Sequence, residues 1–589
     1  MDQICGLIDR TGRGPDGRVL EALKRPIAEN RPSQDFFGGR WGISLVERRP
    51  NRAQPLDPGE CFSEQGPLAC VFFGDLHNSR NLCSAVGAAH TAPSPAQAVL
   101  EAYRRFGPSA CALLEGAFVL LLEDRTQGLC MLARDKLGAF PLYVHSSDNR
   151  LLFASGLGPL VDSGLIALAP DTRSLADYLT FQFPLEHRTF FSGIRALPPG
   201  TLCIIENGVL RLEEAWNFEW QPLDEPAERY RDRLRQALQD AVTAADTLPH
   251  PVSHLSGGLD SSLLALLLSK RHPALETFSG VYPYGPAYDE SLFASKVAEH
   301  CSLRHTEVHP GPEDVIRLLP DMVAQLHEPV SDVAFSRYAV AKAIRDHAPE
   351  ACTAFCGQGA DELFGGYTFY QDFMDQRFPG GLPEQAYQRR RLFSPEQIRG
   401  ILQPEAYGGL FGAYDPLAVY GLSFGRTGPI LDRAAMADIR GFLPYWLQIE
   451  SRIDAAVDLQ PRFPFLHHDV RDLAARIPAH QKIRDGAGKW ILRQAFHEDL
   501  PKDVLDHVKI GFRTPSGIWF KDALFDFASE ALLAAHSGLS SFPDLFAPAA
   551  VKDMLEANRQ GRANLGWQIW TMLLFTLWLD RYFGGKPCA

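Results

Sequence analysis

Hydrophobic residues in the first part of the chain, up to about residue 215, occur in short runs separated by turn-forming residues. The clearest runs are WGISLVE, LACVFFGD, GAFVLLLED, LCMLARD, RLLFASG and GTLCIIENG. Short apolar runs bounded by Gly, Asp and Asn are typical of β-strands. The pattern therefore predicts a domain rich in antiparallel sheet, with few helices.

The pattern changes near residue 220. A polar, proline-containing segment, QPLDEP, is followed by helical periodicity in ERYRDRLRQALQDAVTAA. From Pro251 onward, short apolar strands alternate with long amphipathic helices, as in a parallel sheet covered on both faces. We therefore predict a two-domain α/β chain, with the domains at residues 1–220 and 221–589.

The length of the chain indicates more than one domain, and its net charge argues against some classes of binding partner. A chain of 589 residues with 46% hydrophobic residues is too long for one ordinary core. Its 58 basic and 71 acidic residues give a net charge of -13, which argues against nucleic acid or an anionic membrane as a partner. The apolar run at residues 569–579 spans about half of a membrane helix, so we expect a buried C-terminal helix instead.

The cysteines favour a reducing compartment. The chain has eleven of them, an odd number, and opens with no secretory signal pattern. Free thiols in the cytoplasm are therefore expected rather than a disulfide framework. Cys352 and Cys356 are close in sequence, but no His/Cys cluster accompanies them, which favours a buried strand over a metal site.

The most informative segment runs from an apolar strand into an Ala/Leu-rich helix and reads PVSHLSGGLDSSLLALLLSK. Its glycines let backbone N–H groups approach a phosphate, the helix start adds a partial positive charge, and serine hydroxyls donate hydrogen bonds. It lacks the Gly-Lys-Ser/Thr of a Walker A loop, which argues against a kinase or GTPase. The alternative is a purely structural role, in which the segment is a serine/glycine turn between strand and helix with an Asp cap.

Two aspartates suggest magnesium at this site. Asp260 would repel phosphate unless a Mg²⁺ ion bridged the carboxylate and the phosphate oxygens. A second acidic motif, FCGQGADELFGGY, places Asp361 after a glycine-flanked turn behind the apolar strand at Thr353 to Phe355. Ligands bind at the carboxyl ends of strands in such sheets, so Asp361 is a candidate for the second magnesium carboxylate.

These two motifs, about a hundred residues apart, resemble the synthetase domain of the asparagine synthetase superfamily. Further similar strings follow in the same order: AYDESLFASKVAE, LHEPVSDVA, PRFPFLHHDV, GAGKWILRQAF and VKIGFRTPSGIWF. The first half is similar to the family's glutaminase-type domain through RDKLGAFPLYV, LLFASGLGPLV and TFFSGIRALPPGTL. The resemblance covers the chain nearly from end to end.

The resemblance implies a fold and a chemistry. The first domain would be an Ntn-hydrolase-like αββα sandwich, and the second a doubly wound ATP-pyrophosphatase (PP-loop) domain with a helical extension. ATP and Mg²⁺ would convert a substrate carboxylate to an acyl-adenylate with release of pyrophosphate, and an amine would then displace AMP. Lys489, in GAGKWILR, matches the family's phosphate-contacting lysine, although an exposed lysine at a helix start is the alternative.

The resemblance also assigns site residues. Asp260, Asp361 and Lys489 are the expected catalytic residues, and the two aspartates are the expected magnesium ligands. The expected nucleotide-binding residues are Leu255, Ser256, Gly257, Gly258, Asp260, Ser261, Ser262, Gly357, Gln358 and Lys489.

The glutamine site of the family is altered in this sequence. The family's nucleophile is an N-terminal cysteine, whereas Cys5 here lies behind four residues. Gly42 stands where an arginine anchors the substrate carboxylate, Phe73 where an asparagine supplies the oxyanion hole, and Pro95 near the aspartate that holds the amine. These joint losses predict a domain without glutaminase activity.

If no ammonia is made, the substrate must bring its own amine. Branches of the superfamily with that arrangement include β-lactam synthetases and the cyclases that close the macrolactam ring of lasso peptides. Gln358 stands where β-lactam synthetases have Tyr, and Gln460 where a Glu often precedes the Arg-x-Pro-Phe string; neither Gln can accept a proton at neutral pH. The terminal amine of a peptide has a pKa of about 8, so a useful fraction is already neutral and needs less activation by a base. This favours peptide cyclisation.

Other polar residues near this motif are weaker candidates. Glu450, Asp454 and Asp458 could supply a base, but charges on an exposed helix surface are the favoured interpretation. His467 and His468, in PFLHHDV, have no third ligand apparent in the sequence and are interpreted as structural or substrate-facing.

The leading hypothesis is an ATP-dependent macrolactam synthetase that acts on a substrate bearing both a carboxylate and an amine. A lasso cyclase would also work with a leader peptidase and a leader-binding protein. The alternatives are a glutamine-hydrolysing asparagine synthetase or other amidotransferase with Cys5 unmasked by processing, a β-lactam synthetase-like enzyme, and a non-catalytic ATP-binding partner protein.

Overall fold

The first half of the chain is a sandwich of two antiparallel six-stranded sheets. The computed structural model describes residues 3–29, 31–47, 58–87, 93–377, 380–425, 427–507, 511, 513–533 and 545–584. The strands of this half are β1 (Gln3–Asp9), β2 (Ser33–Phe37), β3 (Trp41–Val46), β4 (Phe62–Gln65), β5 (Leu68–Leu76), β6 (Gly116–Asp124), β7 (Leu129–Arg134), β8 (Tyr143–Ser146), β9 (Arg150–Ala154), β10 (Ile194–Ala196), β11 (Thr201–Glu206) and β12 (Val209–Glu214). One sheet has the order β10-β8-β9-β1-β3-β2 and the other β12-β11-β7-β6-β5-β4.

Alternation along the strands builds the layers of this half. In β1, Ile4 and Ile8 face the opposite sheet, whereas Cys5 and Leu7 pack under a helix on the outer face. The helices are α1 (Gly17–Ala28), α2 (Pro58–Cys61), α3 (Ser79–Val86), α4 (Pro95–Phe106), α5 (Gly158–Val161) and α6 (Thr172–Phe181). α1 covers the first sheet and α4 the second. The predicted αββα sandwich and its antiparallel strands are confirmed.

The second half is built on a five-stranded parallel sheet. Its strands are β13 (Pro251–His254), β14 (Glu276–Gly280), β15 (Arg304–Val308), β16 (Thr353–Phe355) and β17 (Gln460–Arg462), in the order β15-β14-β13-β16-β17. The chain therefore adds β14 and then β15 on one side of β13, and afterwards adds β16 and β17 on the other side. The gap between β13 and β16 is a topological switch point, where such sheets bind their ligands.

Helices cover both faces of this sheet. They are α7 (Ala227–Ala245), α8 (Leu259–Ser269), α9 (Ser291–His300), α10 (Pro312–Leu326), α11 (Asp332–His347), α12 (Ala360–Phe364), α13 (Thr368–Met374), α14 (Leu382–Arg390), α15 (Pro395–Ile401), α16 (Pro404–Phe411), α17 (Pro416–Gly421), α18 (Ile430–Ala437), α19 (Leu443–Ala456), α20 (His468–Arg476), α21 (Ala479–Lys482), α22 (Trp490–Ala495), α23 (Lys502–Asp506), α24 (Ser516–Trp519), α25 (Phe525–Leu533), α26 (Pro548–Arg559) and α27 (Gly566–Phe583). α7, α8 and α9 share one core, and α10, α11 and α19 belong to another. The doubly wound arrangement with a helical extension agrees with the prediction.

The C-terminal helix α27 is buried, as its apolar sequence predicts. Trp570, Leu573, Leu574 and Trp578 are fully inaccessible to solvent. In the described part of the chain, no helix combines the length and apolarity that crossing a bilayer requires. Between β12 and α7, residues 215–226 form neither helix nor strand.

Candidate active site

The shape of the loop after β13 is fixed by hydrogen bonds from serine hydroxyl groups within the loop. Ser261 Oγ donates to the Gly258 carbonyl at 3.0 Å and accepts from the Ser256 backbone N–H at 3.1 Å. Gly257 has a φ of +79°, and a Cβ there would lie 2.8 Å from the Cβ of Phe293. Only glycine fits this position, so the loop can curl at the start of α8 and leave backbone N–H groups available to an anion.

The loop after β16 lies directly against the first loop. A Cβ on Gly357 would come within 2.8 Å of the Asp260 Cβ, so the missing side chain permits the approach. Ser253 of β13 pairs with Phe355 of β16, and Asp260 and Asp361 then follow on adjacent helix starts. The parallel register therefore brings together two carboxylates that are about a hundred residues apart in sequence.

Lys489 joins the two carboxylates. Its Nζ lies 2.5 Å from Asp260 Oδ2 and 2.7 Å from Asp361 Oδ1. The residue sits just before α22 in a left-handed conformation (φ 57°), and its backbone N–H donates to the Phe364 carbonyl at 3.1 Å. Lys489 is 5% exposed, which excludes the alternative of an exposed lysine at a helix start.

The charge of Lys489 is stabilised where it lies. Burial alone would lower the pKa of the ammonium group, but the carboxylates of Asp260 and Asp361 outweigh burial and raise it above its ordinary value. The side chain is therefore a fixed cation at the point where the two loops meet. A cation held in a buried site interacts with phosphate oxygens far more strongly than one in water.

One pocket gathers most of the predicted nucleotide-binding residues. Its wall includes seven of the ten, Leu255, Ser256, Gly258, Asp260, Ser261, Gly357 and Gln358, together with the predicted magnesium ligand Asp361. The structure does not bring Gly257, Ser262 or Lys489 to the wall. Gly257 packs against Phe293, and the buried Ser262 hydroxyl donates to the Gly258 carbonyl at 2.8 Å.

The far wall of the pocket carries a buried ion pair that sequence reasoning missed. Arg337, on α11, donates to Glu450, on α19, through Nε at 2.8 Å and Nη2 at 2.5 Å. Gln358 Nε2 donates to the same carboxylate at 3.1 Å, which ties it to the loop after β16. Burial would lower the pKa of Arg337, but Glu450 and its neighbours raise it above its ordinary value, so the guanidinium keeps its charge.

The expectation that the charges of α19 lie on an exposed surface is wrong for two of the three residues. Glu450 is 1% exposed and Asp454 is inaccessible, because α19 is wedged between α10 and α11. Burial raises the pKa of Asp454 to about 7. Asp458 lies beyond the end of the helix and forms an ion pair with Arg31 at 2.9 Å, away from the pocket.

Cys352 and Cys356 flank β16 and are buried, as predicted. Cys356, Glu450 and Asp454 lie close enough together to resemble a metal site. However, Arg337 Nη2 already lies between them, 3.4 Å from Cys356 Sγ and 3.5 Å from Asp454 Oδ1. The guanidinium therefore fills the place that a cation would take.

The first domain places the predicted remnants of a glutamine site in structural roles. Cys5 is inaccessible in the middle of β1, and burial, reinforced by the Asp35 carboxylate, raises the pKa of its thiol far above the ordinary value. Phe73 is 6% exposed in the core between the sheets. Pro95 is the first residue of α4. A buried, neutral thiol is a poor nucleophile.

Sequence reasoning also missed Gly366. A Cβ there would lie 2.1 Å from Asp361 Oδ1 and 2.1 Å from Lys489 Cε. The second glycine of the FGG string therefore makes room for the lysine. That string was visible in the sequence, but the side chain it accommodates lies more than a hundred residues later.

Comparison with known proteins gives two family matches. The profile described as "Asparagine synthase" matches residues 233–580, and that described as "Glutamine amidotransferase domain" matches residues 28–216. Asparagine synthetase [glutamine-hydrolyzing] 1 of Bacillus subtilis is 26% identical, over 98% of this chain and 96% of the relative.

Two further relatives are similar over most of the chain. A putative asparagine synthetase [glutamine-hydrolyzing] of Mycobacterium bovis is 29% identical, over 86% of this chain and 83% of its own. Amidase chry2 of Gibberella zeae is 24% identical, over 98% of this chain and 94% of its own.

Proposed function

Because the chain belongs to the asparagine synthase family, we propose that its pocket binds ATP and a substrate that brings both the carboxylate and the amine of the new amide bond. The coarser activity follows from the family: the protein is an ATP-dependent carbon–nitrogen ligase that forms AMP and pyrophosphate. The finer proposal is macrolactam closure on a peptide, as in lasso-peptide cyclisation.

The nucleotide fits the pocket by its chemistry. The loop at Ser256–Ser261 offers backbone N–H groups and hydroxyls to the phosphates, and Lys489 contacts Asp260 of this loop. Phe278, Val333 and Val340 give one wall an apolar surface suited to a purine ring. ATP is therefore oriented with its phosphates toward the two aspartates.

Asp260 and Asp361 suit a magnesium ion. Lys489 contacts Oδ2 of Asp260 and Oδ1 of Asp361, so a magnesium ion would approach the other oxygen of each carboxylate. Oxygen ligands of this kind are those that Mg²⁺ prefers. When bound with ATP, the ion would neutralise charge on the phosphates during pyrophosphate release.

The reaction has two steps. A substrate carboxylate oxygen attacks the α-phosphorus of ATP, and the bond to the β-phosphate oxygen breaks to release pyrophosphate. The substrate amine then attacks the acyl carbon of the adenylate, and AMP leaves with the carboxylate oxygen. The amine loses one proton in this step, and Glu450, which lines the far wall of the pocket, would accept it.

The observation that carries the finer proposal is the position of Cys5. Its thiol is inaccessible within β1 and its pKa is raised, so the first domain lacks an exposed nucleophile at the family's position. Phe73, buried in the core, offers no oxyanion donor from its side chain. A ligase without a working glutaminase takes its amine from the substrate, and a peptide's terminal amine needs little activation.

The test uses the full chain with ATP, Mg²⁺ and a leaderless core peptide that carries an internal Asp or Glu. We expect pyrophosphate and AMP in equal amounts, and a cyclic product lighter than the peptide by one water. The same peptide with an acetylated N-terminus is the control and should give pyrophosphate but no cyclic product. A requirement for glutamine or ammonia would overturn the proposal.

A second candidate is supported by the names of the relatives, two of which are described as glutamine-hydrolysing asparagine synthetases. In that case the protein would release glutamate from glutamine and amidate aspartate. A mature chain beginning at Cys5, measured by intact mass, would favour it. A leader peptidase and a leader-binding protein are expected partners only under the first proposal.

A further inference from the structure

Three histidines meet where the two halves of the molecule touch. His77 directly follows β5 in the first half, whereas His467 and His468 follow β17 in the second. Their ring nitrogens lie within 4.8 Å of one another. The ring centroids are 4.6 Å apart for His77 and His467, and 4.3 Å apart for His467 and His468. The third ligand that the HHD string lacks in sequence is thus supplied by the other half.

Each of the three rings has one buried nitrogen whose hydrogen-bonding capacity is not used within the described residues. The Nδ1 atoms of His77, His467 and His468 are all buried and have no hydrogen-bond partner among the residues that the structure describes. His467 is 6% exposed as a whole. The nearest carboxylate, that of Asp469, lies 3.6 Å from His467 Nδ1 and 3.5 Å from His468 Nε2, beyond good hydrogen-bond distance. Buried polar atoms are almost always paired, so three orphaned nitrogens in one place indicate a missing ligand.

The neighbouring cations already have partners. Arg462 pairs with Asp75 at 2.5 Å, and Arg471 pairs with Glu115 at 3.1 Å. Lys136 also contacts Glu115. A carboxylate therefore engages each of these three cations.

We propose that His77, His467 and His468 bind a borderline divalent cation, with Zn²⁺ as the best fit. Neutral imidazoles are typical ligands of Zn²⁺, and three of them leave a fourth position for water or a carboxylate. Zn–N distances of about 2.0–2.1 Å require the rings to draw together slightly from their present spacing.

The proposed ion would cross-link the two halves of the molecule. It would connect the end of β5 to the start of α20, close to the ion pair of Arg462 with Asp75. This site is separate from the magnesium carboxylates and does not depend on the proposed peptide substrate. The other group of potential ligands, Cys356 with Glu450 and Asp454, carries no such proposal because Arg337 occupies it.

The test measures zinc binding by the full-length protein. The chain is stripped with a chelator and titrated with Zn²⁺ in competition with a chromophoric chelator. We expect one tightly bound equivalent in the wild type, and its loss in His77→Asn and in His467→Asn. His497→Asn, which alters a half-exposed histidine outside the cluster, is the matched control and should keep the equivalent.

Cobalt substitution gives a second readout. Co²⁺ in a four-coordinate nitrogen site absorbs strongly in the visible region, and the wild type should show this band whereas His77→Asn should not. Circular dichroism checks that each variant is folded. Failure of the wild type to bind one equivalent, or a weak six-coordinate Co²⁺ spectrum, would overturn the proposal even if a variant did not fold. Equal binding by the wild type and both cluster variants would also overturn it.

Discussion

At the scale of single residues, two buried lysines seven positions apart have opposite environments. Lys489 lies between the carboxylates of Asp260 and Asp361, which hold its charge in place. Lys482 is 1% exposed, and its Nζ lies 3.6 Å from the centre of the Trp220 ring and has no hydrogen-bond partner in the described part of the chain. Burial lowers the pKa of Lys482 to about 7. The residue type is the same, and the neighbours decide what it can do.

Replacing Lys489 should remove adenylation. Lys489→Met keeps the length of the side chain but deletes the cation that faces the phosphates. We expect ATP–pyrophosphate exchange to fall by about 100-fold or more, the usual loss for one preorganised electrostatic contact. Lys482→Met is the matched control and should retain exchange close to the wild-type rate. Similar rates for the two variants would rule out a direct role for Lys489.

Replacing Lys482 should instead change the pH dependence of stability. Between pH 7 and 10.5 the unfolded chain keeps the lysine proton that the folded protein has lost. The free energy of unfolding of the wild type therefore rises there, by at most about 1.4 kcal/mol per pH unit from this group.

Below pH 7 the folded protein bears the full cost of the buried charge, so Lys482→Met should be the more stable protein there. Its advantage should shrink as the pH rises toward 10. Urea unfolding at about pH 6 and about pH 9 measures the difference. An advantage that does not change with pH would mean that Lys482 is not a buried titrating group.

At the scale of elements, the pocket depends on two helices that are far apart in sequence. α11 supplies Arg337 and α19 supplies Glu450, and their ion pair closes the wall opposite the phosphate loop. The hydrophobic pattern predicts such helices but not their faces, because α19 is packed on several sides. For that reason the sequence pattern wrongly indicates that Glu450 and Asp454 lie on the surface.

Glu450→Gln should separate the two chemical steps. If Glu450 assists the amine, product formation should fall about 100-fold or more, whereas ATP–pyrophosphate exchange should change by about 10-fold or less. Exchange also verifies that the variant is folded, since the change leaves Arg337 with a weaker partner. Asp458→Asn, on the same segment but paired with Arg31, is the control and should leave both rates unchanged. A parallel loss of exchange and product would assign Glu450 to the structure of the pocket alone.

At the scale of the whole molecule, the two halves share buried contacts. Tyr178 Oη, in the first half, donates to the Val330 carbonyl in the second at 3.1 Å. The rings of Phe191 and Trp578 have centroids 5.2 Å apart. One hydrophobic cluster contains residues from β1 and α1 together with residues from α10, α11 and α27. A vestigial first domain would then be retained because the second domain packs on it.

Unfolding should accordingly be a single cooperative event. We expect one calorimetric transition for the full chain, and aggregation of residues 221–589 expressed alone, because separation would expose the shared apolar surface. Scanning calorimetry of the full chain measures the first outcome, and size-exclusion chromatography of the fragment the second. Two resolved transitions, or a monomeric fragment, would show that the halves are independent. The boundary at residue 220 stays a prediction.

Features that depend on neighbours along the chain can be predicted from the sequence alone. Strand alternation predicted the antiparallel sandwich, and the glycine and serine string predicted a tight strand-to-helix loop at Gly257 and Ser261. These features arise from backbone geometry within a few residues, so their causes are all present in the local sequence. The motif strings also predicted most of the residues that line the pocket, whereas Gly257, Ser262 and Lys489 do not line it.

Features that depend on contacts across the fold became visible in the three-dimensional structure and not in the sequence. It paired Arg337 with Glu450, placed Gly366 beside Lys489, and brought His77 to His467 from the other half of the chain. Whether a charged or titratable side chain is exposed, paired or poised to bind an ion depends on which elements pack around it. That packing is set by sheet order and helix burial over hundreds of residues, and no local pattern records it.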